Sequence, residues 1–585
     1  MEEPIQNLAE AWLNQDQDDS TRKEIQDLVA GHNEVELEKR LRKRIAFGTA
    51  GLRAQMKAGN AYMNSYTVLQ ASQGLASYIH EQQDASRGLN ERVKVVVGYD
   101  GRHQSEKFAR LAAGAFVAKG LQVLWYGQLV HTPLVPFAVS HLKAAAGVMV
   151  TASHNPKDYN GYKVYWANGC QITAPHDTGI SAAIDRETVI VSWDPTIGEH
   201  SPFVASIFDE TVEAYHQSLQ SLVLPISEGE KELFAYTPMH GVGLPYMRRT
   251  VELLGFELAT MKMVEAQAHP DPEFPTVPFP NPEEHGALDL AIQEADKCEC
   301  TIVLANDPDA DRFSLAEKLR DGGWQQLTGN QIGMLFASYV LETYTGEKSK
   351  LVMLASTVSS RMLAIMAKKE GFLFKETLTG FKWLGNVAQT LKAEGYEPAY
   401  AYEEAIGFMF PTVVWDKDGI AAAAVFLAAR QKWRQEGLTP WQKLQELYKA
   451  YGYFEDANTY FITPSPDVTE QVFKDIRASG PNGGVPEMIG KHKILRWRDL
   501  TVGFDSAGED GKPDLPVDAS AQMITCELKN VLFTARGSGT EPKIKLYIEG
   551  TGNSSAEAQQ SANEVLQDLV WEWFKPEYGL KLAGS

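Results

Sequence analysis

The chain has 585 residues, which exceeds the ~250–300 residues at which single hydrophobic cores stop growing, so we expect about four domains. With 44% hydrophobic and 22% charged residues, the composition is that of a globular protein able to bury several cores. The formal net charge of −21 repels nucleic acid and anionic membrane surfaces, so we expect neither as a partner. A small anionic substrate would need a local cluster of positive groups to overcome that charge.

The cysteines and the N-terminal segment predict a cytoplasmic protein. The chain has only four cysteines, which are too few and too scattered for a disulfide framework: Cys170, Cys298, Cys300 and Cys526. The first residues are acidic and lack the basic and apolar regions of a signal peptide. Since no run approaches ~18 uninterrupted apolar residues, we expect no membrane span either.

Hydrophobic periodicity predicts amphipathic helices at the start of the chain and an α/β unit after them. Apolar positions at helical spacing within the first 45 residues predict amphipathic helices. Strand-like runs at 93–97 and 121–126 flank a helix pattern over about 104–119, which is a βαβ unit. A third strand-like run at 145–150 leads into a polar loop.

The same alternation recurs along the chain. Strand-like runs that precede polar or Gly-rich loops and helices occur at 233–236, 301–305, 351–355 and 399–402. From about residue 451 the runs are shorter, with Pro and Gly between them, and end in a strand at 544–548 and a terminal helix. We therefore expect an α/β protein with three related α/β units and a C-terminal α+β domain. The predicted domains cover residues 1–205, 206–325, 326–450 and 451–585.

The segment TASHNP places Ser153 directly after an apolar strand, with His154 next to it and Lys163 at the end of NGYK. Open α/β sheets bind ligands at the carboxyl ends of their strands, so Ser153 is a candidate nucleophile and its two neighbours are candidates for proton transfer. An ordinary turn serine is the alternative. Ala152 and Thr151 break the GxSxG pattern, which disfavours an esterase.

Three carboxylates follow another apolar strand at alternate positions: Asp307, Asp309 and Asp311. Pro308 favours extended geometry before it, and alternate side chains of an extended chain project to one side. We therefore expect the carboxylates to converge on a cation, and oxygen ligands favour Mg²⁺ or Mn²⁺ over zinc. A calcium EF-hand is excluded, because Arg312 and Lys318 stand where Gly and Glu should be. A solvated acidic turn is the other alternative.

The segment RGSGTEPKIKLY at 536–547 predicts an anion site. Gly537 and Gly539 let backbone N–H groups approach a ligand. Three side chains add hydrogen-bond donors: Arg536, Ser538 and Thr540. Strand alternation places Lys545 on the face opposite Ile544 and Leu546, where it can add positive charge to the loop. A Gly-rich hairpin without a ligand is the alternative.

Two further segments offer weaker candidates. YEEAIGF at 402–408 carries Glu403 and Glu404, and a carboxylate there could accept hydrogen bonds from sugar hydroxyls, although paired acids usually mark a solvated surface. TGFKW places Lys382 between two aromatic residues. This lysine could hold a phosphate or transfer a proton, or could only extend across a packed surface.

Taken together, TASHNP, DPDADR, EEAIGF and RGSGTEPKIKLY, with GTAGLR at 48–53, resemble the motifs of the α-D-phosphohexomutase superfamily in order and approximate spacing. The resemblance spans nearly the whole chain, and TASHNP with DPDADR is a specific pair. It implies four domains around one deep cleft, three of them related α/β units and the last a more open α+β domain. The fourth domain is expected to move, closing the cleft and excluding water.

The resemblance also implies roles for individual residues. Ser153 is similar to the phosphorylated serine of the family and, with the three aspartates, would bind Mg²⁺. Arg53 resembles the arginine near the phosphoserine, and Arg312 follows the metal loop as in the family. Glu403 matches the carboxylate that binds sugar hydroxyls. The distal phosphate site would comprise Arg536, Ser538, Gly539, Thr540 and Lys545.

At two positions the chain departs from the hexomutase pattern, and these departures point to one branch of the superfamily. Ala405 stands where hexomutases usually have Ser, and Lys545 where they have Arg, which loses a bidentate fork but keeps the charge. With DKDG at 416–419 and NGYKVYW, these features are similar to the phosphoglucomutase-2/phosphopentomutase branch. That branch includes enzymes for ribose, deoxyribose and glucose phosphates and a relative that makes glucose 1,6-bisphosphate.

The resemblance implies a phosphosugar mutase, an isomerase that transfers a phosphoryl group through phosphorylated Ser153. The substrates would be ribose, deoxyribose or glucose 1-phosphates and their 5- or 6-phosphates, with a sugar 1,5- or 1,6-bisphosphate as intermediate and activator. The alternatives are a glucose 1,6-bisphosphate synthase, a Mg²⁺-dependent sugar phosphatase and a non-catalytic sugar-phosphate sensor. We expect a monomer or small homo-oligomer whose partners are small sugar phosphates.

Overall fold

The computed structural model describes residues 3–48, 51–82, 92–196, 200–223, 232–538 and 542–583. The chain forms two compact units. The first comprises Met1–Leu354 and Gly380–Trp441, and the second comprises Ala355–Thr379 and Gln442–Ser585.

Three helices precede the first sheet: α1 (Ile5–Gln15), α2 (Asp19–Ala30) and α3 (Glu34–Leu41). Asp18 and Asn33 cap the second and third helices by accepting hydrogen bonds from backbone N–H groups of the first turn. Trp12, Ile25 and Leu37 lie in one small apolar cluster between these helices. The amphipathic helices expected in this region are confirmed.

The first sheet has six strands: β1 (Leu52–Gln55), β2 (Lys94–Tyr99), β3 (Gln122–Leu129), β4 (Ala146–Val150), β5 (Tyr159–Trp166) and β6 (Val204–Ser206). Their order is β1-β5-β4-β2-β3-β6, with β5 antiparallel to β4 and the pairs among β2, β3, β4 and β6 parallel. The helices bounded within the described part of this segment are α4 (Ser65–Glu81), α5 (Ser105–Ala118), α6 (Leu134–His141), α7 (His176–Arg186) and α8 (Phe208–Leu222). The central strands are uninterrupted apolar runs, as expected for a sheet covered on both faces.

The second sheet has five strands: β7 (Phe234–Thr237), β8 (Met261–Met263), β9 (Ile302–Ala305), β10 (Ser314–Lys318) and β11 (Trp324–Gln326). Helices α9 (Leu244–Leu253) and α10 (Asp289–Lys297) belong to this segment. The neighbouring strands β10-β9-β7-β8 repeat the order β5-β4-β2-β3 of the first sheet, whereas the edge strands β11 and β1 differ in their place along the chain. Strands β4 and β9 are therefore equivalent, and each is followed by one of the two loops singled out in the sequence.

A third α/β segment follows, with α11 (Gly329–Thr343), β12 (Leu351–Ser356), α12 (Met362–Glu370), β13 (Leu373–Thr377), α13 (Phe381–Ala393), β14 (Glu397–Glu403), β15 (Gly407–Met409), α14 (Gly419–Gln435) and α15 (Pro440–Tyr451). Strands β14 and β15 form an antiparallel hairpin, as β4 and β5 do. Asp418 caps α14 by accepting hydrogen bonds from the N–H groups of Ile420 and Ala421.

The second unit has a sheet of eight antiparallel strands: β16 (Tyr453–Asp456), β17 (Thr459–Ile462), β20 (Arg496–Asp499), β21 (Phe504–Asp505), β22 (Met523–Glu527), β23 (Val531–Gly537), β24 (Lys543–Gly552) and β25 (Lys581–Leu582). A small hairpin, β18 (Met488–Ile489) with β19 (His492–Lys493), and helices α16 (Pro466–Arg477) and α17 (Ser555–Glu572) complete it. Along β24, Ile544 and Leu546 are buried and Lys545 is exposed, which confirms the alternation expected there.

Short 3₁₀ helices cover Leu258–Thr260, Glu265–Gln267, Pro481–Gly483, Glu509–Gly511 and Pro576–Tyr578. Each strand expected from the sequence is present within a few residues of its predicted bounds. The α/β class with a C-terminal α+β domain is confirmed. Among the described residues, none of the helices is long and apolar enough to cross a membrane.

A substitution at Gly241 tests how tightly the turn after β7 packs against the loop that follows β9. A Cβ on Gly241 would lie 2.3 Å from the backbone of Pro308, inside the loop that follows β9. We expect Gly241→Ala to destabilise the fold by about 1–3 kcal/mol, because backbone must shift to relieve the overlap. Denaturant unfolding would measure the loss. Gly323→Ala is the control, since its Cβ would meet only the flexible Asp321 side chain at 3.3 Å. Equal losses in both variants would contradict the expectation.

Candidate active site

Ser153 lies in the loop after β4, and its side chain is 3% exposed. Its backbone φ is +54°, in the left-handed region that residues with a Cβ rarely adopt. The hydroxyl donates a hydrogen bond to Asp307 Oδ2 at 2.9 Å, and its Oγ lies 3.2 Å from His154 Nδ1. The structure thus brings together the candidate nucleophile of one sheet and the carboxylates of the next.

The three carboxylates converge, as expected, but not for the reason expected. One oxygen from each of Asp307, Asp309 and Asp311 lies within 4.8 Å of the others, and all three residues are fully buried. The loop is a turn and not an extended chain: the Ala310 N–H donates to the Asp307 carbonyl at 2.9 Å, and the φ of Ala310 is +51°. The extended chain predicted across residues 307–311 is therefore wrong. The reversal of the chain at Ala310 brings the side chains together.

The cluster has the donor set of a metal site. Asp309 Oδ1 and Asp311 Oδ1 are buried and have no hydrogen-bond partner among the described residues. Such oxygens are costly to bury unless something compensates them. Because all available ligands are carboxylate or hydroxyl oxygens, the residues fit a hard divalent cation such as Mg²⁺.

Two lysines neutralise part of the cluster. Lys163 Nζ, on β5, lies 2.8 Å from Asp309 Oδ2 and 2.7 Å from Asp311 Oδ2. Lys417 Nζ, just before α14, lies 2.9 Å from Asp311 Oδ2. Burial opposes ionisation of Asp311, but the two lysines hold its pKa below the ordinary value. Burial and then the charges of its two neighbouring aspartates raise the pKa of Asp307 well above its ordinary value.

Arginines and a histidine surround Ser153. Arg53 lies on β1 opposite Gly161, and its Nη1 donates to Asn155 Oδ1 at 3.4 Å. The Arg312 N–H donates to Asp307 Oδ1 at 3.0 Å, while its Nε is buried with no hydrogen-bond partner in the part of the chain that the structure describes. Burial, followed by the charges of Arg312 and Arg53, lowers the pKa of His154 well below its ordinary value. Arg53 and Arg312 are therefore positive groups of the kind that an anionic substrate requires.

The third α/β segment contributes Glu403 at the end of β14. Its Oε1 accepts a hydrogen bond from the Gly380 N–H, which precedes α13. Burial and then the charge of Glu404 raise the pKa of Glu403 to about 7. Lys382 lies in the first turn of α13, near Gly380, with its Nζ 5.6 Å from the centre of the Trp383 ring. The structure thus places Lys382 beside the Glu403 segment.

The predicted anion loop belongs to the second unit. Arg536 and Lys545 are cross-strand partners on β23 and β24, and Arg536 Nη1 donates to Thr379 Oγ1. Ser538 directly follows β23, and its backbone N–H donates to the Lys543 carbonyl at 2.8 Å. Gly539 and Thr540, also predicted in this loop, lie outside the described residues.

Several residues of the site were missed from the sequence. Lys417 stands in DKDG, a segment that the motif comparison noted without assigning the lysine a role. Thr132 donates to Asp309 Oδ2 at 2.5 Å. Arg102, in the turn GYDGR, donates to the Ser153 carbonyl. A charged side chain directly after a buried strand or before a helix cap was the available signal for Arg102 and Lys417.

Three family models match consecutive parts of the chain, all described as phosphoglucomutase/phosphomannomutase. Alpha/beta/alpha domain I matches residues 44–190, domain II matches 213–322 and domain III matches 328–451. Together these matches cover more than half of the chain.

Similar curated proteins extend over nearly the full length. A phosphoribomutase of Saccharomyces cerevisiae is 44% identical over 97% of this chain and 96% of its own. A phosphopentomutase of Mus musculus is 41% identical over 97% of this chain and 94% of its own. A human glucose 1,6-bisphosphate synthase is 38% identical over 96% of this chain and 92% of its own.

The fold is also that of a solved structure, a phosphoglucomutase from Paramecium called pp63/parafusin, in its open form. The TM-score is 0.67 at 17% identity, covering 91% of this chain and 95% of that one.

Lys163→Met tests the charge balance of the carboxylate cluster. Removing one partner of a buried ion pair leaves charge uncompensated, so we expect the metal-free variant to lose about 3–5 kcal/mol of stability. Added Mg²⁺ should raise its melting temperature more than it raises that of the unmodified protein, because a bound cation replaces the missing charge. Thermal unfolding with a chelator and with excess MgCl₂ would measure both effects.

Lys119→Met is the matched control. Lys119 pairs with both carboxylate oxygens of Glu187 at 2.8 and 2.9 Å, away from the aspartates. Its loss of stability should not depend on Mg²⁺. The same metal-induced shift in the Lys163 variant and in the unmodified protein would refute the proposed charge balance.

Proposed function

The chain belongs to the phosphoglucomutase/phosphomannomutase family, and on this premise we propose that it is a mutase that interconverts ribose or deoxyribose 1-phosphate and the corresponding 5-phosphate. We propose glucose 1-phosphate and glucose 6-phosphate as poorer substrates. One observation carries the chemistry: the Ser153 hydroxyl is hydrogen-bonded to Asp307 inside the buried carboxylate cluster. The pentose preference is supported by the phosphoribomutase and phosphopentomutase relatives, which are more similar than the synthase.

The proposed reaction has two transfers. In the first, the phosphoryl group leaves Ser153 Oγ and bonds to a hydroxyl oxygen of the sugar monophosphate. The proton of that hydroxyl passes to a nearby base, and Ser153 Oγ takes up a proton to become a hydroxyl. This gives a sugar bisphosphate, which turns around in the site. In the second, the Ser153 hydroxyl gives up its proton to a nearby base as the other phosphoryl group bonds to its Oγ, and the freed sugar oxygen takes up a proton. No phosphate is lost in the cycle.

The residues around Ser153 have defined tasks in this proposal. Arg53 and Arg312 bind the oxygens of the transferred group, which lowers the cost of its charge in the transition state. His154 is neutral because its pKa is lowered, so its Nδ1, 3.2 Å from Ser153 Oγ, can accept the departing proton and give it back. Bound Mg²⁺, held by the three aspartates and a Ser153 oxygen, would supply Lewis-acid neutralisation of phosphoryl charge. Lys163 and Lys417 pair with Asp309 and Asp311 and favour the ionised form of those two carboxylates.

Residues beyond the aspartate cluster would recognise the sugar and its second phosphate. Glu403, held by the Gly380 N–H, would accept hydrogen bonds from sugar hydroxyls, with Glu404 and Lys382 beside it. We further propose that the loop in the second unit holds the phosphate that does not react, through Arg536, Ser538, Gly539, Thr540 and Lys545. Backbone N–H groups with flanking cations bind phosphate whichever carbon carries it.

We propose that the protein acts in the cytoplasm on small sugar phosphates. Its four cysteines are unpaired thiols in the structure, three of them buried, which fits a reducing compartment. A sugar bisphosphate would serve as the activator that phosphorylates Ser153.

The central experiment compares substrates in the presence of Mg²⁺ and a trace of glucose 1,6-bisphosphate. We expect kcat/KM for ribose 1-phosphate to exceed that for glucose 1-phosphate by about tenfold or more, with no matching release of inorganic phosphate. A preference for glucose would contradict the pentose assignment. Stoichiometric phosphate release would indicate a phosphatase, and accumulation of glucose 1,6-bisphosphate from 1,3-bisphosphoglycerate would indicate the synthase.

In the same assay, Ser153→Ala tests whether Ser153 carries the phosphoryl group between the two transfers. We expect turnover to fall by on the order of 10³-fold or more, because no phosphoenzyme can form. Ser140→Ala, at an exposed serine near the end of α6, should keep its turnover. Full activity of the Ser153 variant would exclude the phosphoserine mechanism.

The pKa of Glu403 near 7 predicts a pH dependence of substrate binding. Below about pH 7 the carboxyl is mostly protonated, and above it the carboxylate can accept hydrogen bonds from two hydroxyls. KM should therefore fall as pH rises from about 6 to about 8, as steady-state kinetics can measure. Glu403→Gln should abolish this dependence of KM on pH. Glu404→Gln should shift the fall in KM to lower pH, because it removes a charge next to Glu403. Identical profiles in all three proteins would show that Glu403 does not bind the substrate.

A further inference from the structure

We propose that Asp100, Arg102 and Thr151 form a clamp on the backbone of Ser153 that positions its Oγ for phosphoryl transfer. The three side chains hold both the N–H and the carbonyl of this residue, and none of them touches the reacting oxygen. They are positioning residues, and the proposal rests on the proposed function of Ser153 as the phosphoryl carrier.

The first half of the clamp holds the N–H group. Ser153 N donates to Thr151 Oγ1 at 2.8 Å, and the Thr151 hydroxyl donates in turn to Asp100 Oδ2 at 2.6 Å. Asp100 Oδ1 accepts from the Ser105 hydroxyl at 2.6 Å and from the Arg102 N–H at 3.1 Å. Because these groups are almost fully buried, water does not compete for them.

The second half holds the carbonyl. Arg102 Nη2 donates to the Ser153 carbonyl, and Nη1 donates to the Pro156 carbonyl at 3.0 Å, so one planar guanidinium spans the loop. Arg102 Nε lies 3.3 Å from Asp100 Oδ2, and the ring of Phe274 covers the guanidinium with its centre 5.0 Å away. Asp100 therefore joins the two halves into one unit.

The clamp is needed because the backbone of Ser153 is unfavourable by itself. A φ of +54° is rarely adopted by a residue with a Cβ and persists only where the surroundings enforce it. Relaxation to negative φ would reorient the Cα–Cβ bond and move Oγ away from Asp307, to which it is now bonded at 2.9 Å. The left-handed conformation is thus what directs Oγ to the carboxylate cluster.

The reaction adds a second reason for a charged clamp. Ser153 alternates between a neutral hydroxyl and a phosphoryl ester of about −1.5 to −2 charge, so electrostatic forces on the loop change at each transfer. A hydroxyl bonded to a carboxylate and a guanidinium forked across two carbonyls are stronger restraints than neutral hydrogen bonds. The loop can then keep one geometry in both states, as transfer in both directions requires.

A similar turn, after β7 in the second α/β segment, provides a matched control. Thr237 ends β7, is fully buried, and its hydroxyl oxygen accepts from the N–H of Met239 at 3.0 Å. Met239 also has a positive φ, of +48°. The Thr237 hydroxyl donates to Gln267 Oε1 at 2.6 Å, which is an amide and not a carboxylate. The same substitution at Thr237 therefore removes a similar turn contact without touching the Ser153 loop.

The experiment uses the full chain with Mg²⁺ and compares Thr151→Val, Thr151→Ser, Thr237→Val and Arg102→Lys. Phosphoenzyme is prepared with glucose 1,6-bisphosphate, and single-turnover transfer from Ser153 to a sugar monophosphate is followed by rapid quench. Steady-state KM, the Mg²⁺ concentration for half-maximal activity and the melting temperature are measured alongside.

We expect Thr151→Val and Arg102→Lys to slow the transfer step at least about tenfold while KM and the Mg²⁺ requirement stay within about twofold. Thr151→Ser, which keeps the hydroxyl, should transfer at nearly the unmodified rate. Thr237→Val should lower the melting temperature as much as Thr151→Val without slowing transfer. Arg102→Lys also serves as the second test if Thr151→Val fails to fold.

Three results would overturn the proposal: unchanged transfer in Thr151→Val and Arg102→Lys, an equal loss in Thr237→Val, or losses confined to KM or to the Mg²⁺ requirement. A failure of the underlying function looks different, because the unmodified protein would then take up no phosphoryl group at Ser153. That result would overturn both proposals.

Discussion

The mutual repulsion of three buried carboxylates is the constraint on which the first unit depends. Asp307, Asp309 and Asp311 cannot be ionised together in a dry site without nearby cations. The chain supplies Lys163 from β5 and Lys417 from the segment before α14. Charge balance therefore ties together three α/β segments that are far apart in sequence. The same balance leaves two carboxylate oxygens without protein partners, and these are the atoms available to a metal ion.

The repeated strand order explains how the reacting groups meet. Strands β4 and β9 hold equivalent places in their sheets, and the Ser153 loop and the aspartate loop follow them. Carboxyl ends of parallel strands are where α/β sheets bind ligands. A residue with positive φ occurs in each functional loop of the first unit: Ser153, Ala310 and Ile406. Each of these loops thus contains an unfavourable backbone conformation, and the surrounding buried contacts hold it in place.

Much of this could be read from local patterns. Apolar runs that end in polar loops predicted the strands and the places of Ser153 and the aspartates. This works because buried strands require apolar residues and the exposed loops after them do not. The motifs gave the type of chemistry. The convergence of the aspartates was foreseen, but the extended chain offered as its cause was wrong. The chain turns at Ala310, whose carbonyl accepts a hydrogen bond from the N–H of the distant Gly419 at 3.1 Å. No residue near Asp309 in the sequence indicates that Lys163, 146 positions away, pairs with it.

The sequence by itself determined the α/β class, the order of the elements and the residue types of a phosphoryl-transfer site. These follow from hydrophobic periodicity and from functional groups that are close along the chain. Only the tertiary structure decided which cations neutralise which carboxylates, and that Arg102 holds the backbone of Ser153. Those choices depend on distances between residues that are remote in sequence, and on a backbone conformation that is unfavourable until the buried hydrogen bonds around it have formed.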